Sequence, residues 1–115
     1  MKFFNGFLHA FRGIRDVFLS ELNFKVHLII LSIVIGLGIY FSISRIDWII
    51  ITCVSALVLS LEAINTAIEK ICNEITHERK ESIRFIKDVA AGAVLIASIG
   101  AVIVGTLIFT NYISL

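Results

Sequence analysis

The sequence predicts an all-α integral membrane protein, with three transmembrane helices behind an amphipathic surface helix. Three observations predict it. The 115 residues are 58% hydrophobic and have a mean hydropathy of +0.98, far above a soluble domain of ordinary usage. The apolar residues gather into three runs, at about 26–44, 47–72 and 89–113, each near the ~20 residues that cross a bilayer. Charged residues fall mainly in two zones, roughly 1–25 and 69–88. The length allows a single domain over 1–115. The net charge of +1 gives no global basic field for nucleic acid.

The first element is expected at about 2–22. Phe3, Phe4, Phe7, Leu8, Phe11, Ile14 and Phe18 recur at helical spacing, as do Lys2, Asn5, His9, Arg12 and Asp16. The segment lacks a continuous apolar core and a small-residue cleavage site, so it does not read as a signal peptide. A basic, Phe-rich amphipathic helix beside a membrane is expected to lie in the interface.

The first two spans are joined only by the short Ser44–Asp47 stretch, which predicts a tight antiparallel hairpin. Asp47 is expected to cap the second helix, with Tyr40 and Trp48 at the interface near that turn. The third span carries Ala93, Ala97, Ala101 and Gly105 at every fourth position, a stripe that lets helix backbones approach, within one chain or between chains. Lys2, Arg12, Arg15 and Lys25 precede the first span, and Arg79, Lys80, Arg84 and Lys87 lie in the second loop, while Arg45 stands alone in the first. The N-terminus and the second loop are therefore expected in the cytoplasm, with the C-terminus outside.

The chemistry-bearing stretch is "SLEAINTAIEKICNEI", Ser60 to Ile75. Glu62, Asn65, Glu69 and Asn73 fall within about 80° on a helix and run roughly 16 Å along its axis. Opposite them lie Ile64, Ile68 and Ile71. An ionisable residue inside a span costs at least about 2.5 kcal/mol and needs a partner, a cavity or a task. Two carboxylates on one face with no adjacent base fit better around a cation than as polar glue between helices. Glu21 before the first span and Asp88 before the third add acid at the same level. Glu21 and Glu69 could hold Mg²⁺ with a nucleotide, because that ion takes a few carboxylates plus phosphate oxygens and water. Lys87 and Arg12 would face phosphates, and the deeper Glu62 could take a proton from a lipid hydroxyl.

The sequence has no phosphate-binding GxxxxGK[ST] loop, soluble-kinase set, GxSxG or HExxH. His9, His27 and His77 lack metal-ligand spacing and are expected to be interfacial polar groups. Cys53 and Cys72 read as small buried hydrophobes.

Three motifs in order resemble the prokaryotic diacylglycerol kinase family of small membrane lipid kinases: "GIRDVFLSELNFKVHL" at 13–28, "EAINTAIE" at 62–69 and "KDVAAGAVLI" at 87–96. The resemblance extends from about residue 5 to 110. It implies a homotrimer in the inner (plasma) membrane of a bacterium, its active site on the cytoplasmic side. The activity it implies is transfer of the γ-phosphate of ATP to a lipid alcohol with Mg²⁺. By motif, Glu62 resembles the catalytic base, and Glu21 and Glu69 resemble the metal-binding carboxylates. Asn65, Lys87 and Asp88 match positions near the nucleotide. Asn73 stands where the family often has Asp. "NFKVHL" and "DVAAGAVLI" look more like the undecaprenol kinases, so undecaprenol is the expected acceptor and diacylglycerol the alternative. A reading of another class is a small proton-coupled transporter subunit, which also can use one intramembrane Glu. Three spans and a carboxylate stripe reaching the cytoplasm argue against it.

Overall fold

A computed structural model describes residues 2–78 and 80–113. Met1, Arg79, Ser114 and Leu115, which belong to the expected single domain and, for Arg79, to the expected basic loop, lie outside the described residues. The described residues form four helices: α1 (Lys2–Ser20), α2 (Leu22–Phe41), α3 (Arg45–Ile75) and α4 (Glu81–Thr110). The last three are long and apolar enough to cross a membrane. Most of their large apolar side chains point outward, with Ile96 74% and Leu107 64% exposed. That is the inside-out distribution of a chain whose solvent is lipid, where apolar surface needs no burial. The protein is an all-α, multi-pass membrane protein.

Helix ends differ from the expected spans, and the reasons are local. α1 and α2 are separated by Glu21 alone, which adopts an extended conformation (φ −114°, ψ 117°). The surface helix thus stops short of residue 22, and α2 starts at Leu22 rather than at residue 26. α2 stops at Phe41, before residue 44, because Ser42 turns left-handed (φ 51°). The Ser42 and Ile43 N–H groups close back on the Ile39 and Gly38 carbonyls at 3.2 and 3.1 Å, a Schellman ending.

α3 starts at Arg45, so Asp47 is not the cap. Ser44 caps the helix, its hydroxyl accepting the Asp47 N–H at 3.1 Å. Asp47 sits one turn in and accepts a hydrogen bond from the Tyr112 hydroxyl at 2.5 Å, and that hydroxyl accepts the Ser44 N–H at 2.9 Å. α4 starts at Glu81, eight residues ahead of the expected span at 89, and ends at Thr110. Hydropathy marks where a helix meets lipid; it does not mark where its hydrogen bonding begins, and residues 81–88, among them Glu81, Arg84, Lys87 and Asp88, continue the helix beyond the apolar run.

α3 and α4 form the main antiparallel pair, α2 packs on α3, and α1 rests on both α2 and α3. Ile43, Ile51 and Ile108 form a buried cluster beside the α2–α3 turn, walled by Val34, Phe41, Trp48, Val104, Phe109 and Tyr112. Gly38 lies under the Trp48 ring: a β-carbon there would come within 2.6 Å of it. No such constraint applies to Gly100 or Gly105 in α4, where a β-carbon would meet nothing within 4 Å. With 31 residues, α3 is about 46 Å long, well beyond the ~30 Å hydrocarbon layer. Its last turns, with Glu69 and Asn73, therefore reach the aqueous edge.

Candidate active site

Among the described residues the buried polar or charged side chains are Glu62, 3% exposed, and Asn65, 9% exposed. Both lie on the face of α3 that packs inward, in line with Ile51, Val58 and Cys72. Of the expected stripe, Glu62 and Asn65 face the interior of the chain and Glu69 is half-buried, while Asn73 is exposed. Ile64 and Ile71 on the other side are exposed. The Asn65 Nδ2 donates to Glu69 Oε1 at 3.3 Å, coupling two of the expected residues one turn apart. The Asn65 Oδ1 is buried with no hydrogen-bond partner. Such an orphan costs about 1–3 kcal/mol.

Glu21 approaches from the α1–α2 corner. It is half-buried, and its side chain is not spent on capping α2. Across from Glu62 stands His27 of α2, its Nε2 3.6 Å from Glu62 Oε2. The expectation that the acids of α3 have no adjacent base therefore fails at Glu62. Depth matching could have found the pair: His27 lies six residues inside Glu21, and Glu62 seven inside Glu69, which is about 9 and 10 Å along their helices. His27 also borders a slot of about 220 Å³ between α2, α3 and α4, whose wall is otherwise almost wholly apolar, including Ile30, Val34, Val54, Val58 and Gly105.

Lys87 extends the stripe toward the aqueous phase. Its Nζ donates to Asn73 Oδ1 at 2.8 Å. A neutral amide at 73 holds the ammonium without neutralising it. Asp88 does not join the carboxylate group; it is exposed and pairs with Arg84 at 2.6 Å, and Arg84 also pairs with Glu81. These residues line a polar hollow together with Asn73, Thr76, His77 and Lys87. Arg12 is exposed on α1 and forms no ion pair among the described residues. Glu62, Asn65 and Glu69 thus lie on one face of α3, Lys87 and Asp88 share the hollow beyond it, and Arg12 stands apart on α1. Cys72 is buried as expected, but Cys53 is exposed on the lipid side of α3.

Among the described residues no three His, Cys, Asp or Glu side chains converge as a closed metal cluster. The oxygen-only donors here, two carboxylates and an orphaned amide carbonyl, instead suit a hard cation that keeps water and takes ligands from phosphate.

Comparison with known proteins points to a family. The profile described as Prokaryotic diacylglycerol kinase matches residues 8–109. The chain is 38% identical over 108 residues to an undecaprenol kinase of Bacillus subtilis, covering 94% of this chain and 88% of that one. It is 35% identical over 100 residues to a diacylglycerol kinase of Synechocystis sp., covering 86% of this chain and 57% of the relative.

Proposed function

The chain belongs to the prokaryotic diacylglycerol kinase family, a membrane lipid kinase with ATP as phosphate donor, and from that premise we propose that it phosphorylates undecaprenol on the cytoplasmic side of a bacterial inner membrane. Diacylglycerol is the alternative acceptor, since one relative carries that name. The likeness to the Bacillus enzyme over nearly the whole of both chains supports the isoprenoid. The transporter reading has no support in these matches. The observation that carries the mechanism is Glu62: a carboxylate only 3% exposed within an apolar span, near the head of an apolar slot.

In the proposed reaction the lipid tail occupies apolar surface and its hydroxyl comes to Glu62, which takes the proton as the oxygen attacks the γ-phosphorus. Glu62 serves only in the carboxylate form. Lys87 offers positive charge to the phosphates, held in place by Asn73. Asn65 orients Glu69 through their hydrogen bond and turns its free carbonyl toward the ligand. Asp88 fixes Arg84, and Arg12 on α1 faces the aqueous side, both within reach of a role in nucleotide binding. Mg²⁺, held by Glu21 and Glu69, would supply charge neutralisation of the triphosphate. The surface helix α1 lies in the interface, its exposed phenylalanines in lipid, and the assembly is a homotrimer.

Purified protein in detergent micelles, supplied with Mg-ATP and undecaprenol or diacylglycerol, tests the proposal. Labelled phosphate is expected on undecaprenol at the higher kcat/KM. Glu62→Gln should lose on the order of 100-fold or more in kcat, the range of a missing general base, and Glu69→Gln should lose Mg²⁺ dependence along with rate. Exclusive labelling of diacylglycerol would reverse the substrate assignment; near-native turnover in Glu62→Gln would remove the base.

A further inference from the structure

We propose that His27 is a positioning residue for Glu62, holding one carboxylate oxygen so that the other is presented to the lipid hydroxyl. The inference rests on the reading of Glu62 as the base. Its own ground is the geometry of the pair. Glu62 is nearly sealed from solvent, and among the described residues its carboxylate receives no hydrogen bond; the near polar group is the His27 Nε2, 3.6 Å from Oε2. That is ion-pair distance, and a few tenths of an ångström would close it to a hydrogen bond.

No other cation among the described residues pairs with this carboxylate. Lys87 is engaged with Asn73, Arg84 with Glu81 and Asp88, Arg15 with Asp16, and the Lys25 ammonium sits over the Phe18 ring, 5.8 Å from its centre. A carboxylate buried without a compensating group gives up its charge or leaves its place. His27 supplies that compensation from the neighbouring helix, and it does so at the mouth of the apolar slot it helps to line.

The division of labour follows from the atoms. Oε2 faces the imidazole, leaving Oε1 to accept. In the transfer, the lipid O–H bond breaks and its proton goes to Oε1. The lipid oxygen forms the bond to the γ-phosphorus, and the bond from that phosphorus to the β-bridging oxygen breaks, releasing ADP. The proton leaves Glu62 for solvent afterwards. His27 gains and loses nothing.

The test compares His27→Leu, His27→Asn and His27→Gln in the full-length protein with Mg-ATP and undecaprenol. Gln places an amide N–H near the position of Nε2; Asn is polar but too short, and it also serves should the Leu variant not fold. Leu and Asn are expected to lower kcat on the order of 100-fold, the scale of a misplaced reacting group, with the KM for ATP unchanged. Gln should recover most of the loss. Placed on Glu62→Gln, His27→Leu should add nothing further. Near-native kcat in both Leu and Asn variants, failure of Gln to rescue, or a full additional loss in the double variant would each overturn the positioning role. If Glu62→Gln itself keeps turnover, the base reading fails instead, and the two failures are distinguishable.

Discussion

At the scale of single residues, the site holds a polar atom that stability alone does not explain. The Asn65 carbonyl oxygen is buried and unpartnered. Leucine matches asparagine in the number and branching of its side-chain heavy atoms and removes that orphan, at the cost of the hydrogen bond to Glu69. Asn65→Leu is therefore expected to change stability by no more than about 1 kcal/mol, the relief of the orphan offsetting the lost bond, while activity collapses. A stability loss with activity retained would show the amide to be structural. The sequence displayed Glu62, Asn65 and Glu69 as one stripe because helical spacing fixes angular position whatever surrounds the helix. It did not display His27, because no periodicity within α2 reveals what faces it across a helix boundary. The Lys87–Asn73 hydrogen bond was equally invisible, since it joins residues 14 apart in the chain.

At the scale of elements, two positions govern how α2 turns into α3. Ser42 adopts a left-handed conformation that costs a residue with a β-carbon about 1–2 kcal/mol. Ser42→Gly should recover part of that, read as a rise in melting temperature in micelles with unchanged kcat. Gly38 has the opposite demand. A methyl group there would overlap Trp48 ring atoms at 2.6 and 2.8 Å, so Gly38→Ala should destabilise by about 1–3 kcal/mol through overpacking. The order of the elements was legible from hydropathy and the cytoplasmic charge zones. Their ends were not. Polar residues end a span, but they continue a helix, as 81–88 do in α4.

At the scale of the whole molecule, a single chain buries little. Among the described residues the buried apolar core is short, and most large apolar side chains of the spans are exposed. Three copies around one axis would cover part of that surface, and the proposed trimer predicts a protein mass in native measurement of three times one chain. Contacts near the α2–α3 turn tie the start of α3 to the residues after α4: Tyr112 donates to Asp47 and accepts from Ser44. Tyr112→Phe should cost about 1–3 kcal/mol through the unpaired groups left behind, measured by thermal unfolding, with the KM for ATP unaffected if the proposed nucleotide site lies at the other end of α3.

At the α2–α3 turn the helices are held by isoleucines, an indole and a tyrosine. Toward the other end Val17, Phe24, Cys72 and Ala90 are buried, and beside them His27 meets Glu62 and Lys87 meets Asn73. Polar cross-helix contacts thus sit among apolar packing at that end, and under the proposed function it is there that the lipid acceptor would enter and the phosphorylated lipid leave.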